Sequence, residues 1–184
     1  NRHLLTGTFR RDGTPYFGSG IKWGNFPSVS GAWRISQEKF FAVPVISELK
    51  VRYETGLTGN QGTGAGIYSR LRTDATPWGT GFLVEGLKNL NLAWEETRTN
   101  NLGLNIGLLK NRIAIELDVY KKNTDNLILN ANLPWYMGTG GSPGSLNPPL
   151  VNTGSLETKG WNISFTTTNI QTKDFKWESN LNLS

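Results

Sequence analysis

The chain has 184 residues, a formal net charge of +5, no cysteine and one histidine, His3. These counts exclude a disulfide framework and thiol chemistry, and they argue against Ser-His-Asp catalysis or a histidine-rich metal site. Charged residues make up only 18% while Gly (22) and Trp (7) are abundant, which argues against a disordered polyelectrolyte and against a helical bundle. The basic residues are scattered, so we predict no nucleic-acid partner, and likewise no catalytic site, metal or cofactor.

Alternation of apolar and polar residues with a period of two predicts β-strands along the chain. In chain order, strands are expected near residues 2–10, 28–40 and 48–58, two more between residues 94 and 129, and a last pair through Trp161 and Trp177. Joined in sequence, these seven strands predict an all-β, antiparallel, up-and-down arrangement. The last pair has its apolar residues at odd positions, which favours a three-residue loop around Thr172.

The best specified pair is a hairpin that turns at Lys110-Asn111. With a two-residue loop, Leu108 pairs with Ile113 and all apolar residues fall on one face, so a slip of one residue would destroy the match. We predict that the apolar face meets lipid and that the opposite face, made of Gly, Asn and acidic residues, meets a watery lumen. The predicted lipid-facing residues are Leu102, Leu104, Ile106, Leu108, Ile113, Ile115, Leu117 and Val119, and the predicted lumen-facing residues are Asn105, Glu116 and Asp118.

Short and long connections alternate between the predicted strands. Short links are expected near residues 43–47, 110–111 and 171–173, and long Gly- and Pro-rich loops over residues 12–22, 60–91 and 131–152. Short turns at one end and long loops at the other are typical of outer-membrane barrels, as are aromatic residues near strand ends, here Trp94, Trp161 and Trp177. A soluble β-sandwich also alternates in this way and is the alternative architecture.

The long loops carry aromatic residues that are candidates for contact with a ligand or a partner protein. Aromatic side chains on loops stack on sugars or anchor a partner. The alternative is that they pack the loops against each other, and the sequence leaves both readings open. The candidates are Tyr68, Trp78, Phe82, Trp135 and Tyr136.

Several segments occur together in a distinctive order. The most specific are WGNFPSVSGAWRIS at residues 23–36 and TGNQ at residues 58–61, followed by LAWE at residues 92–95, TDNL at residues 124–127 and NTGS at residues 152–155. Together they resemble the C-terminal barrel region of the SusC/RagA-like TonB-dependent outer-membrane transporters. Thr14-Pro15-Tyr16 and Gly160-Trp161-Asn162 depart from the family's usual Ser-Ser-Arg and Gly-Phe-Glu.

The resemblance implies a barrel of twenty-two strands with an N-terminal plug, in the outer membrane of a Gram-negative bacterium, with its long loops extracellular. It implies import of oligosaccharides, peptides or similar nutrients with a SusD-like surface lipoprotein, driven by the TonB complex. We expect residues 1–184 to be an internal piece, about a third of the barrel, without the plug and the closing strands. A transporter is not an enzyme; the alternative function is a soluble or surface β-sandwich carbohydrate-binding module.

Overall fold

A computed structural model describes residues 2–62, 67–139 and 145–184. Its strands are β1 (His3–Gly13), β2 (Trp23–Arg34), β3 (Ile46–Asn60), β4 (Arg70–Thr76), β5 (Gly79–Gly86), β6 (Glu95–Leu108), β7 (Ile113–Asp125), β8 (Ile128–Asn130), β9 (Leu150–Asn152), β10 (Ser155–Gln171) and β11 (Lys176–Leu183). Seven of them form one antiparallel sheet in the order β1-β2-β3-β6-β7-β10-β11. The predicted seven-stranded up-and-down sheet is therefore confirmed. The short hairpin β4–β5 lies within a connection predicted only as a loop, whereas β8–β9 pairs residues next to the end of the predicted strand region with the end of the next predicted loop.

The hairpin of β6 and β7 has the register that the sequence predicts, with Leu108 opposite Ile113 and Leu102 opposite Val119. The connection covers residues 109–112, and Leu109, Lys110 and Asn111 all have positive φ, 52°, 59° and 62°, so Lys110 and Asn111 have the positive φ that a type I′ turn requires at its two central residues. Asn111 adopts this conformation readily, and its side chain also accepts a 2.8 Å hydrogen bond from the Ser47 hydroxyl. The predicted register is confirmed.

The turn between β10 and β11 differs from the prediction. Phe165 pairs with Leu181 as expected for odd partners, but the register shifts between Thr168 and Ile170. Asn169 is the extra residue, so the connection covers residues 172–175 and is one residue longer than predicted. A bulge changes only the phase of the alternation, so the apolar positions alone did not show it.

The second strand also differs from the predicted range of residues 28–40. It begins five residues earlier because β1 pairs with β2 as far as Gly13 opposite Trp23. It ends at Arg34, where a 3₁₀ turn, Ile35–Gln37, follows. The Trp33 indole N–H donates to the Glu38 carboxylate at 3.0 Å and holds this turn against the strand end.

The alternation gives the sheet two chemically different faces. The apolar face is the one with Leu104, and its rows of cross-strand neighbours run Tyr53–Leu102–Val119–Trp161, Val51–Leu104–Leu117–Ile163 and Leu49–Ile106–Ile115–Phe165. The polar face is the opposite one, with Arg52, Asn105 and Asp118. All eight residues predicted to face lipid lie on the apolar face, and the three predicted to face the lumen lie on the polar face. Their contact with lipid and lumen stays a prediction. In the described part of the chain, no helix is long and apolar enough to cross a bilayer.

Candidate functional site: the long-loop end and the polar face

A small buried cluster anchors the long loops to the sheet. Phe17, Phe26, Leu92 and Trp94 are its buried members, and both phenylalanine rings meet Trp94 edge-on, with ring centroids 5.4 Å apart. Phe17 comes from the connection between β1 and β2, and Leu92 and Trp94 come from the connection before β6. Edge-to-face contacts of this kind add to the burial of apolar area. Trp94 is only 9% exposed, so its expected place in an aromatic girdle is wrong: packing against the two rings buries it.

The longest of the predicted loops contains the β4–β5 hairpin, and the tip of this hairpin presents Trp78. Pro77 and Trp78 lie between the paired residues Thr76 and Gly79. The Thr76 hydroxyl closes the turn, because it donates to the Gly79 carbonyl at 2.7 Å and accepts from the Trp78 N–H at 3.3 Å. Trp78 is 93% exposed. The hairpin therefore holds a large aromatic ring away from the rest of the protein.

The long loop that follows β8 presents Trp135 and Tyr136 on a 3₁₀ turn, Trp135–Met137. Pro134 precedes the turn, and Gly138 ends it with φ of 86°, a conformation that glycine adopts without strain. The five candidate loop aromatics are all exposed, including Tyr68 and Phe82. In the described parts of the two loops they are therefore not buried between the loops, as the packing alternative requires. The loops are instead held by backbone and asparagine hydrogen bonds.

Asn147 joins the two long loops into one unit. Its N–H donates to the Glu85 carbonyl at 2.7 Å and its carbonyl accepts from the Leu87 N–H at 3.4 Å. A second asparagine, Asn152, exchanges hydrogen bonds of 2.7 and 2.9 Å with the backbone of Ala93 and donates to the Asn126 carbonyl at 2.9 Å. Contacts of the Asn152 kind fix a loop to its neighbour because the side-chain carbonyl and the side-chain NH₂ group are both hydrogen-bonded.

The polar face carries a hydrogen-bonded network across three strands. Arg52 on β3 donates to Asn105 on β6 at 2.8 Å and to both carboxylate oxygens of Asp118 on β7 at 3.2 Å. Asn105 donates to Glu116 at 2.9 Å and Asn101 donates to Asp118 at 3.1 Å. The three residues predicted to face the lumen are thus brought together in one site, in which Asp118 accepts from Arg52 and Asn101 while Glu116 accepts from Asn105.

Gly103 leaves the space that Arg52 needs to cross β6. A Cβ at this position would lie 2.7 Å from an Asp118 carboxylate oxygen and 2.9 Å from the Arg52 guanidinium carbon. Sequence reasoning missed Arg52 because alternation alone does not fix the register of β3 against β6. The signal was present, since Arg52 lies between Val51 and Tyr53, whose side chains point to the apolar face. Among the described residues, no three His, Asp or Glu side chains form a group able to hold a metal ion.

Comparison with known proteins identifies the chain. The family described as "TonB dependent receptor-like, beta-barrel" matches residues 1–184. The chain belongs to this family. It is 36% identical to the TonB-dependent receptor SusC of Bacteroides thetaiotaomicron and 35% identical to the TonB-dependent receptor P26 of Formosa agariphila, in both cases over all of the chain. This portion of a TonB-dependent receptor therefore resembles a SusC/RagA-like barrel, as the sequence motifs indicate.

The solved structures agree with the sequence relatives. The RagAB peptide importer in its "closed-closed" state matches 98% of the chain with a TM-score of 0.86 and 25% identity. The chain spans 19% of the length of SusC, 18% of P26 and 19% of the matched RagAB chain. By their names these relatives are receptors and an importer, not enzymes. The sheet described above is a segment of such a barrel and not half of a β-sandwich.

Proposed function

We propose that the TonB-dependent receptor containing this chain imports oligosaccharides, peptides or similar nutrients across the outer membrane of a Gram-negative bacterium. The observation that carries the proposal is the two-faced sheet, which matches a peptide importer with a TM-score of 0.86. Its apolar face suits contact with lipid, and its network around Arg52 and Asp118 suits a wet interior. Import of this kind moves a solute through the barrel and needs no covalent chemistry.

Uptake in cells tests this function. We would delete the receptor gene, restore it on a plasmid, and follow uptake of two labelled probes, a casein peptide digest and a mixture of plant oligosaccharides. Import of at least one probe is expected to fall on deletion, to return with the plasmid, and to stop when TonB is depleted. Unchanged uptake of both probes on deletion, or uptake that continues without TonB, contradicts the proposal.

The long loops are proposed to be extracellular and to contact a SusD-like surface lipoprotein. The support is the exposure of five large aromatic side chains on two loops that form one unit. Exposed aromatic residues are common anchors of protein interfaces, and truncating an anchor often costs 2 kcal/mol or more. A cost of about 2 kcal/mol corresponds to an affinity loss of roughly thirtyfold.

A pull-down of the lipoprotein from membranes tests the docking surface. The test variant replaces four loop aromatics by alanine: Tyr68, Trp78, Trp135 and Tyr136. The matched control replaces Phe40 and Phe175, which are exposed but belong to connections at the opposite end of the sheet. Loss of partner recovery in the first variant only is expected. Full recovery together with lost uptake would reject docking and assign the aromatics to the ligand's path.

A further inference from the structure

The apolar face has a groove at the row where its apolar residues end. Leu102 on β6 and Val119 on β7 form its floor, and Tyr53 and Trp161 form its two sides. The groove has a volume of about 440 Å³. Leu102 and Val119 are more than half exposed at its base. Two aliphatic side chains between two larger aromatic rings therefore leave an open apolar groove that suits a hydrocarbon chain.

A positively charged group lies directly above this groove, on the side of the long loops. Lys121 and Lys159 are cross-strand neighbours on β7 and β10 and line the groove. Glu157 contacts their ammonium groups at 2.7 and 2.5 Å. Arg98, which is exposed, occupies the same face one row further on, level with Glu157. Three cations against one carboxylate leave an excess of positive charge just beyond the apolar rows.

We infer that this groove binds a phosphorylated glycolipid, the lipid A of the outer leaflet, with an acyl chain on Leu102 and Val119 and a phosphate at Lys121 and Lys159. Tyr and Trp favour the boundary between hydrocarbon and headgroups, and basic residues just beyond that boundary attract anionic lipid headgroups. A phosphate displaces Glu157 from the lysines or binds beside it through Arg98. The inference rests on the proposed orientation, because the lysines face the outer leaflet only if the long loops are extracellular.

Binding of purified lipid A to the full receptor tests the groove. The receptor is purified in dodecyl maltoside, and native mass spectrometry records bound lipid A during a titration. The test variant is Lys121→Gln with Lys159→Gln. The matched control is Lys122→Gln, the next residue along the strand, whose ammonium lies 5.4 Å from the Tyr120 ring and on the polar face. We expect lipid A binding to weaken about tenfold or more in the double variant and to be unchanged in the control.

The possible outcomes separate this inference from the proposed function. Equal lipid A binding by the double variant and the native receptor overturns the assignment of the groove as the binding site. The same holds if Lys122→Gln loses as much binding as the double variant. Displacement of lipid A by an equal concentration of phosphatidylglycerol overturns the choice of lipid A as the occupant. Heat-modifiable mobility on gels shows that each variant is folded. A native receptor that imports a probe but binds no lipid A rejects only the inference, whereas a native receptor that binds lipid A but imports neither probe rejects only the proposed function.

Discussion

Placing a charge at Leu104 probes the assignment of the apolar face to lipid. Leu104 is flanked by Val51 and Leu117. The apolar positions of β6 run from Leu102 to Leu108, about 20 Å along the strand at ~3.4 Å per residue, and Leu104 lies about 7 Å inside the loop-side edge. Arginine near mid-depth on a lipid-facing strand costs about 2–4 kcal/mol, falling to about 0–1 kcal/mol near the interface. We therefore expect Leu104→Arg to cost about 2–3 kcal/mol, a 30- to 150-fold change in the folding equilibrium.

The matched control is Ser164→Arg, which lies on the polar face opposite Glu116 and within one residue of the same depth. We expect it to cost less than about 1 kcal/mol, because the new charge meets a carboxylate. The measurement is the guanidinium unfolding of the receptor in phosphatidylcholine vesicles, followed by tryptophan fluorescence. Equal destabilisation by the two changes, or a larger effect of Ser164→Arg, would refute the assignment of the faces.

Three further predictions concern the loops and the polar face. Gly103→Ala is expected to cost about 1–3 kcal/mol in the same unfolding assay, because its methyl group would enter the space between the arginine and the aspartate. Asn152→Ala removes three hydrogen bonds between loop segments, so we expect faster cleavage of the long loops by chymotrypsin, which cleaves after the exposed Trp78, Trp135 and Tyr136, in limited proteolysis. Residues 139 and 173 lie in connections at opposite ends of the sheet, so with the long loops extracellular a Thr139→Cys probe is expected to react with an impermeant maleimide on intact cells, whereas a Lys173→Cys probe is not.

Each of these predictions has its own control and its own contrary result. Gly7→Ala is the control for replacing a glycine, because a Cβ there meets nothing within 4 Å. Equal destabilisation by Gly7→Ala and Gly103→Ala would contradict the role of Gly103 in making room for Arg52. Asn130→Ala controls for the loop asparagine, and equal proteolysis of both variants would show that Asn152 does not hold the loops. Labelling at Lys173 alone would reverse the proposed orientation.

The parts of the fold that the sequence predicts are those set by local alternation. Leu108 and Ile113 could be paired because four apolar residues on each strand match in only one register. The bulge at Asn169 could not be predicted, since an inserted residue alters the phase without changing the composition. The strand Trp23–Arg34 was misplaced because its first residues, including a glycine and a proline, do not alternate clearly.

The residues of the candidate site likewise separate into those that local alternation predicts and those that it does not. Asn105, Glu116 and Asp118 follow from the hairpin alone, whereas Arg52 reaches them only through the pairing of β3 with β6. The exposed aromatic residues follow from their place in long loops. The loop hydrogen bonds of Asn147 have no local signal, because they join backbone groups to Glu85 and Leu87 and nearly every residue type carries the same backbone groups.

The backbone contacts of Asn147 have a mechanical consequence for the receptor. A pull on the hairpin tip at Trp78 is carried through Glu85 and Leu87 to Asn147, and from there through the Leu146 N–H, which donates to the Gly138 carbonyl at 2.7 Å, to the turn that holds Trp135. Either the two tips swing together, or the hydrogen bonds between them break, at about 0.5–1.5 kcal/mol each. A load applied to one long loop is thus shared by the other, and neither tip opens alone without that loss.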